Sequence, residues 1–492
     1  MVRVLAAASV VGLVVGVAGT AAAGGSRARA SQGVRTYSTR ATLPLRTSLF
    51  DPYSFVGNSD AFPMARDAGA TYVRLMFNWS SVAPATRPAN FVASDESSDG
   101  YTWDHLDAQV AAAEDSGVTP ILDVFSTPKW AYAVRPHGSR AGTPNSRDLG
   151  QFATALATHY DGAHGAPAVH YFEVWNEPNL SLSLSPVKPA AYRAMVNAVA
   201  TSVHAVNRND IVVAGGLDPF ENVAPRFVAL APLSYMSSLL CVSMGNPKAK
   251  KAALRKPHAT CKTKVRFDAW SHHPYTFGGP FGHARRKDDV SLGDLPKMRA
   301  LLRAAVKLHR VVSSHPVQFW VTEFSWDTNP PRRHAAPLGL QARWTAESLY
   351  QMWRSGVSLA TWFLLQDRPN PSPYQSGLYF HSKNLEEARA KPTLTAFRFP
   401  FVAYLGKRSV SVWGRDETST KTLVSIQLAH RRRGPWRTVA RIVSNRSGIF
   451  KASLALKAKN KDWLRATAPG ASKSLPFSLT VPKTLRIGPW GN

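Results

Sequence analysis

The chain of 492 residues is 44% hydrophobic and 18% charged, long and apolar enough to bury a large core and unlike a disordered or collagenous chain. Its 60 Lys and Arg against 31 Asp and Glu leave a net charge of +29. That balance suits a nucleic acid, a membrane surface or an acidic polymer without choosing among them, while two cysteines exclude a Cys-rich scaffold and a four-cysteine metal site.

The basic start Met1-Val2-Arg3, an uncharged run over residues 4–23 and the small exit Ala21-Ala22-Ala23 read as a secretory signal peptide within residues 1–30, cleaved near Ala23 or Ala30. An uncleaved N-terminal anchor is the competing reading, because about twenty apolar residues suffice to span a bilayer. The run is rich in Ala and Gly rather than Leu and Ile, which favours cleavage. The mature protein is expected to be secreted or associated with the cell surface. In an oxidising compartment Cys241 and Cys261 are expected to form a disulfide contributing on the order of 3 kcal/mol.

After a linker over residues 31–41, short apolar runs at 43–50, 71–77, 119–125, 169–175, 210–215, 266–271, 317–323 and 359–365 predict eight strands. Between them, amphipathic patterns predict helices over 103–116, 146–160, 189–206, 295–312, 340–355 and 392–403. Eight such units indicate a (β/α)8 barrel, a TIM barrel of the α/β class, over residues 42–403. A doubly wound open sheet is the alternative, but no Gly-rich phosphate loop follows the first strand. From 405 to 492 six short strand-like runs broken by Gly, Asn, Lys and Pro predict a small all-β sandwich. This piece carries 18 Lys and Arg against 3 Asp and Glu, so its +15 is about half of the whole excess.

On a barrel, chemistry belongs at the C-terminal ends of the strands. The second strand contains Arg74 and runs on to Asn78-Trp79; the third ends at Ser126-Thr127-Pro128-Lys129-Trp130; the fourth at Trp175-Asn176-Glu177-Pro178-Asn179. The sixth ends at His272-His273-Pro274-Tyr275, the seventh at Glu323-Phe324-Ser325-Trp326 and the eighth at Thr361-Trp362-Phe363. Glu177 and Glu323 stand out, because a carboxylate closing an apolar strand needs partners or a task. Strands four and seven nearly face each other across a closed barrel mouth, so the two carboxylates can flank a bond placed between them. Such a pair suits glycoside hydrolysis, retaining at about 5–5.5 Å and inverting at wider separations.

Trp175-Asn176-Glu177-Pro178-Asn179 and Val321-Thr322-Glu323 resemble the paired signatures of clan A glycoside hydrolases, in particular the family-39-like and family-5-like members. Arg74, His273-Pro274-Tyr275, Trp362 and the run from Lys391 to Arg398 match the same pattern, and the resemblance spans the predicted barrel. Family-5-like members often carry a His at the end of strand three. This chain has none there, and its Thr127-Pro128-Lys129-Trp130 run is nearer the family-39-like pattern.

The resemblance implies a retaining O-glycoside hydrolase in which Glu177 is the acid/base and Glu323 the nucleophile. Arg74 and the Tyr275 hydroxyl would keep Glu323 ionised, Asn176 would bond the sugar 2-OH, and His273 would orient the site. Trp362 would be the platform under the innermost sugar. Trp79, Trp130 and Trp326 could stack on neighbouring sugars or simply pack loops. Glu173, sharing the inward face of Glu177, reads as a structural partner of a barrel Arg, His272 as a core histidine and Asp367 as a loop-capping residue. The mechanism needs no cofactor, and no His/Asp/Glu cluster has metal-ligand spacing, so no metal is expected.

A catalytically weak carbohydrate- or cell-wall-binding surface protein is the alternative function; it predicts loss of one catalytic Glu, and both are present. The expected partners are a carbohydrate substrate and, through Arg431-Arg432-Arg433, Arg437, Arg441 and the lysines of 451–461, an anionic wall polymer or membrane surface. A solvated charged face is the plainer reading of those residues. No specific nucleic-acid partner is expected, because neither a recognition helix nor an aromatic-basic strand motif is present.

Overall fold

The computed structural model describes residues 34–491, apart from 42, 140, 225–226, 418–419, 471–472 and 483–484. The signal-peptide assignment and the first residues of the expected linker lie outside the described residues.

Eight parallel strands close into a barrel in chain order: Arg46–Phe50, Tyr72–Asn78, Thr119–Phe125, Tyr171–Val174, Ile211–Leu217, Ala269–His272, Gln318–Phe324 and Leu359–Phe363. Side chains alternate between the faces of each strand. Leu49, Val73, Leu122, Phe172, Val212, Trp270, Val321 and Trp362 face outward into the main apolar core, beneath helices such as Ser146–His159 and Pro189–Val206.

The inward positions stack in three layers. Tyr72, Ile121, Ile211, Val213, Ala269, Trp320 and Leu359 form a separate apolar cluster that plugs the floor. Two residues further along each strand the interior turns polar, with Ser48, Arg74, Asp123, Glu173, Ser271, Thr322 and Thr361 all buried. Two residues further again, Phe50, Met76 and Phe363 join Leu364 and Tyr374 in a cluster at the mouth.

The helix expected over 392–403 ends early. Pro392–Arg398 is helical, whereas Phe401–Leu405 is a strand of the sandwich. Pro400 disfavours helical geometry at Phe399, whose φ of −127° and ψ of 72° already leave the helix. Likewise the helix expected over 295–312 stops at Lys307, and Val311–Val312 is extended.

The sandwich has a three-stranded antiparallel sheet, with Val410–Arg415 between Phe401–Leu405 and Ile449–Leu454. Its other sheet runs Arg35–Ser38, Arg437–Val443, Leu423–Ala429, Trp463–Thr467, Phe477–Ser478. The first of these strands corrects the expected linker over 31–41: Arg35–Ser38 pairs in parallel with Arg437–Val443. Asn445 Nδ2 then donates to the Ala41 carbonyl at 2.9 Å. Arg35–Ser38 is an edge strand of four mostly exposed residues, too short and too polar to show a buried face in the sequence.

Barrel and sandwich share aromatic packing. Tyr350 and Trp353, on the helix Leu338–Arg354, meet Trp413 of the sandwich at ring-centroid distances of 5.4 and 5.7 Å. Arg343 of the same helix lies 4.0 Å from the Phe477 ring centroid and donates to the Ser478 carbonyl at 2.9 Å. Arg35–Asn492 accordingly form one compact unit. Cys241 and Cys261 are disulfide-bonded, with Cα atoms 5.2 Å apart. Among the described residues no helix is long and apolar enough to cross a membrane.

Candidate active site

The polar middle layer is built around Arg74. Its Nε donates to Glu173 Oε2 at 2.6 Å and its Nη2 to Asp123 Oδ2 at 2.8 Å and Asn176 Oδ1 at 3.0 Å. Nη1 reaches Glu323 Oε2 at a longer 3.4 Å. A guanidinium suits this task because its donors form a rigid fork and it stays charged when buried. The surrounding carboxylates overcome the burial that would lower its pKa and hold that pKa above the ordinary range. Burial pushes Asp123 well up, against the pull of Arg74.

The fourth strand ends at Val174, and the backbone then turns sharply. Trp175 and Glu177 adopt left-handed φ values of 70° and 47° on either side of Asn176, the kind of strain retained at functional sites. Trp175 is tied down by its indole N–H on the Ser183 carbonyl at 2.9 Å, and the Glu177 N–H donates to the Gly216 carbonyl at 3.0 Å. Neighbouring Gly215 has φ +114°, and a Cβ there would lie 2.3 Å from the Ser271 carbonyl oxygen, so only glycine fits.

Glu177 Oε1 lies 3.1 Å from His273 Nδ1. The other ring nitrogen, Nε2, meets Thr322 Oγ1 at 3.2 Å, and the Thr322 hydroxyl donates onward to Glu173 Oε1 at 2.9 Å. Since the threonine proton is committed to Glu173, the imidazole carries its proton on Nε2 and leaves Nδ1 bare. Burial depresses His273 to about 4, so the ring is neutral near pH 7. A bare Nδ1 can accept the proton of a Glu177 carboxylic acid. Glu177 itself is raised by burial to about 7, with Arg74 pulling the other way.

Glu323 closes the seventh strand opposite. Tyr275 Oη donates to Glu323 Oε1 at 2.5 Å, and Glu323 Oε2 lies 3.9 Å from His273 Nδ1. Both carboxylates therefore lie within 4 Å of one imidazole nitrogen. Burial raises Glu323 above the ordinary carboxylate range and nearby Glu177 adds to it, while Arg74 and the Tyr275 hydrogen bond counteract it.

Glu177, Glu323, Arg74, Asn176, His273 and Tyr275 thus form one cluster, and the expected tryptophan platforms do not join it. Trp362 points outward: it is fully buried, donates from Nε1 to the Ser376 carbonyl at 2.9 Å and meets Phe324 edge-on at 5.1 Å. The inward residue is Phe363, paired across the sheet with Phe50, whose ring lies 4.6 Å from the Arg74 guanidinium carbon. Strand alternation decides this, because one residue's offset exchanges the two faces. Trp79 is fully buried against Phe152, and Trp326 is buried with its Nε1 on the Thr276 carbonyl, so both are core residues. Trp130 is half-buried against Trp79 and Phe91, with the Arg87 guanidinium over its ring. It packs a loop.

Glu173 is the structural partner of Arg74, His272 is a core residue bonded to the Val290 carbonyl at 2.8 Å, and Asp367 holds the buried Lys391 ammonium at 2.6 Å. The sequence reading passed over Asp123, Ser271 and Thr322. Asp123 carried a usable signal, as a carboxylate inside the apolar run Ile121-Leu122-Asp123-Val124. It also passed over Asp218, which follows the fifth strand and is pushed well up by burial and by nearby Glu177.

With this geometry in place, residues 30–298 match the model of the cellulase family, glycosyl hydrolase family 5. The chain belongs to that family. It is a glycoside hydrolase of the retaining type. The matched stretch includes Glu177 and ends before Glu323, so the second carboxylate is located by geometry. The fold is also similar to solved structures of glycoside hydrolase family 39. The family 39 enzyme from Xanthomonas axonopodis pv. citri is 16% identical over 88% of this chain and 97% of its own, with a TM-score of 0.52. A monomeric beta-xylosidase from Caulobacter crescentus CB15 is 16% identical over 87% of this chain and 98% of its own, with a TM-score of 0.50. No curated protein matches the sequence significantly.

Proposed function

We propose that this family 5 member is an exported glycosidase that cleaves O-glycosidic bonds of a polysaccharide or oligosaccharide by double displacement, with Glu323 as nucleophile and Glu177 as acid/base. The observation that carries the assignment is the shared imidazole: His273 Nδ1 lies 3.1 Å from Glu177 and 3.9 Å from Glu323. The two oxygens it faces can be no farther apart than the sum of those distances, about 7 Å, which accommodates the spacing of a retaining pair.

In the first step Glu323 attacks the anomeric carbon while Glu177 gives its proton to the departing oxygen. The product is a glycosyl ester on Glu323. In the second step the Glu177 carboxylate takes a proton from water, the water oxygen attacks the same carbon, and Glu323 leaves. Arg74 spends its shortest bonds on Glu173 and Asp123 and holds Glu323 only at 3.4 Å. That looser grip keeps the nucleophile charged without quenching it. The Asn176 oxygen is occupied by Arg74, which turns the amide so that its NH2 is available to a sugar hydroxyl.

The basic start and apolar run at the N-terminus support export, and the +15 of residues 405–492 supports attachment to an anionic wall polymer or lipid surface. Trapping tests the function. A panel of aryl β-glycosides identifies the sugar, and the matching 2-deoxy-2-fluoro glycoside should then leave one sugar on the peptide containing Glu323 by mass spectrometry. A chain that binds sugars but turns over none and traps none would be a binding protein instead.

A further inference from the structure

The chain leaves the sandwich after Phe477–Ser478 and returns to the barrel mouth. The Gly278 N–H donates to the Ile487 carbonyl at 2.9 Å, and the Asp327 N–H donates to the Pro489 carbonyl at 2.7 Å. Gly278 follows the sixth barrel strand and Asp327 the seventh, so the tail lies across the loop that carries Tyr275 and the loop that begins just beyond Glu323. Gly491 is seated so closely that a Cβ there would fall 2.8 Å from Arg332 Cδ.

Between these anchors, the Trp490 ring meets the Tyr275 ring at a centroid distance of 5.2 Å and an interplanar angle of 42°. Tyr275 in turn holds Glu323 through its hydroxyl at 2.5 Å. Trp490 is therefore one aromatic ring removed from the nucleophile carboxylate. Unlike Trp79, Trp326 and Trp362, which are fully buried, it remains partly exposed, and its indole N–H has no hydrogen-bond partner among the described residues. A partly exposed aromatic ring with an uncommitted donor at its edge matches the two sides of a pyranose ring, an apolar C–H face and a rim of hydroxyls.

We propose that Trp490 is a wall of the substrate cleft, stacking on a sugar ring, so that the tail of the C-terminal domain completes the active site and selects substrate. The inference rests on the glycosidase reading above. It gives residues 405–492 a part in the site beside the surface attachment proposed for their basic face.

The test uses the full-length chain and its best aryl β-glycoside, with the corresponding oligosaccharide as a second substrate. Trp490→Ala should raise KM about tenfold, the scale of one lost aromatic contact, with kcat nearly unchanged. Trp490→Leu, which keeps apolar volume at the tail, should show the same rise, and Trp490→Phe should recover most of it. Trp490→Leu keeps the test valid should Trp490→Ala fail to fold. KM values for Trp490→Leu within twofold of wild type on both substrates would overturn the subsite while leaving the glycosidase reading intact. A loss confined to kcat would make Trp490 a prop for Tyr275 and overturn it equally. A wild-type chain that turns over no glycoside would overturn the glycosidase reading and the subsite together.

Discussion

Arg74 gives its shortest hydrogen bond, 2.6 Å from Nε, to Glu173 and not to the nucleophile candidate Glu323. Both side chains of this pair are fully buried. Removing one member of a buried ion pair strands the other, at about 3–5 kcal/mol. Glu173→Ala should lose stability on that scale in chemical denaturation. A loss under 1 kcal/mol would mean that Asp123 alone suffices to hold Arg74.

Glu323→Ala should reduce turnover about 10⁴-fold or more, with azide restoring glycosyl transfer to an inverted product. Glu177→Ala should spare aryl glycosides with good leaving groups and impair natural substrates, because an aryl oxide departs without protonation. Proton NMR of the first-formed anomer reads out the first claim. Equal losses across leaving groups would remove Glu177 from the acid role.

The value of about 7 for Glu177 carries two pH signatures. The alkaline limb of kcat/KM should fall near pH 7, where the acid loses its proton, and should vanish in Glu177→Ala. Stability has the opposite sign to that of an ordinary paired carboxylate. Between the unfolded pKa of about 4.3 and the folded value of about 7, the folded state holds the extra proton, so raising pH through that window destabilises it. Glu177→Gln should therefore melt above wild type at pH 8, with the gap shrinking toward pH 4. A gap independent of pH, followed by calorimetry, would sink this account.

Trp362 and Phe363 should separate in their effects. Trp362 is packed in the outer core, and Trp362→Ala should cost about 3–5 kcal/mol while the remaining folded enzyme keeps its KM. Phe363 belongs to the mouth cluster with Phe50 and Tyr374, so Phe363→Ala should raise KM with a smaller stability loss. Binding isotherms and melting curves on both variants decide it, and the reverse pattern would restore Trp362 as the platform.

Truncation near Leu405 should not yield a soluble barrel, because it would strip Trp413 from Tyr350 and Trp353 and Phe477 from Arg343. Surface attachment is better tested by reversing Arg431, Arg432 and Arg433 to Glu, all exposed. Binding to isolated cell walls should weaken in this variant and, for wild type, fall steeply with salt. Salt-indifferent binding would mean the basic face is merely solvated.

The barrel, its strand order and the strand-end carboxylates Glu177 and Glu323 were legible in local signals, while Arg74, Asn176, His273 and Tyr275 were placed with them by the resemblance to clan A enzymes. Apolar runs at regular spacing specify parallel strands, and a polar residue closing such a run reports a position at the mouth. The disulfide and the inward pairing of Glu173 were legible for similar reasons, one from the cysteine count together with the expected export, the other from strand parity. The remaining features depend on which face a residue turns or on contacts between distant segments. Trp362 and Phe363 are adjacent aromatic residues, and only the closed barrel's pairing with Leu49 and Phe50 shows which of them faces the axis. Arg35–Ser38 becomes a strand only because Arg437–Val443, four hundred residues away, offers it an edge. The meeting of Trp490 with Tyr275 has no local signature, since it is made by backbone hydrogen bonds from Gly278 and Asp327 that no pattern near residue 490 encodes.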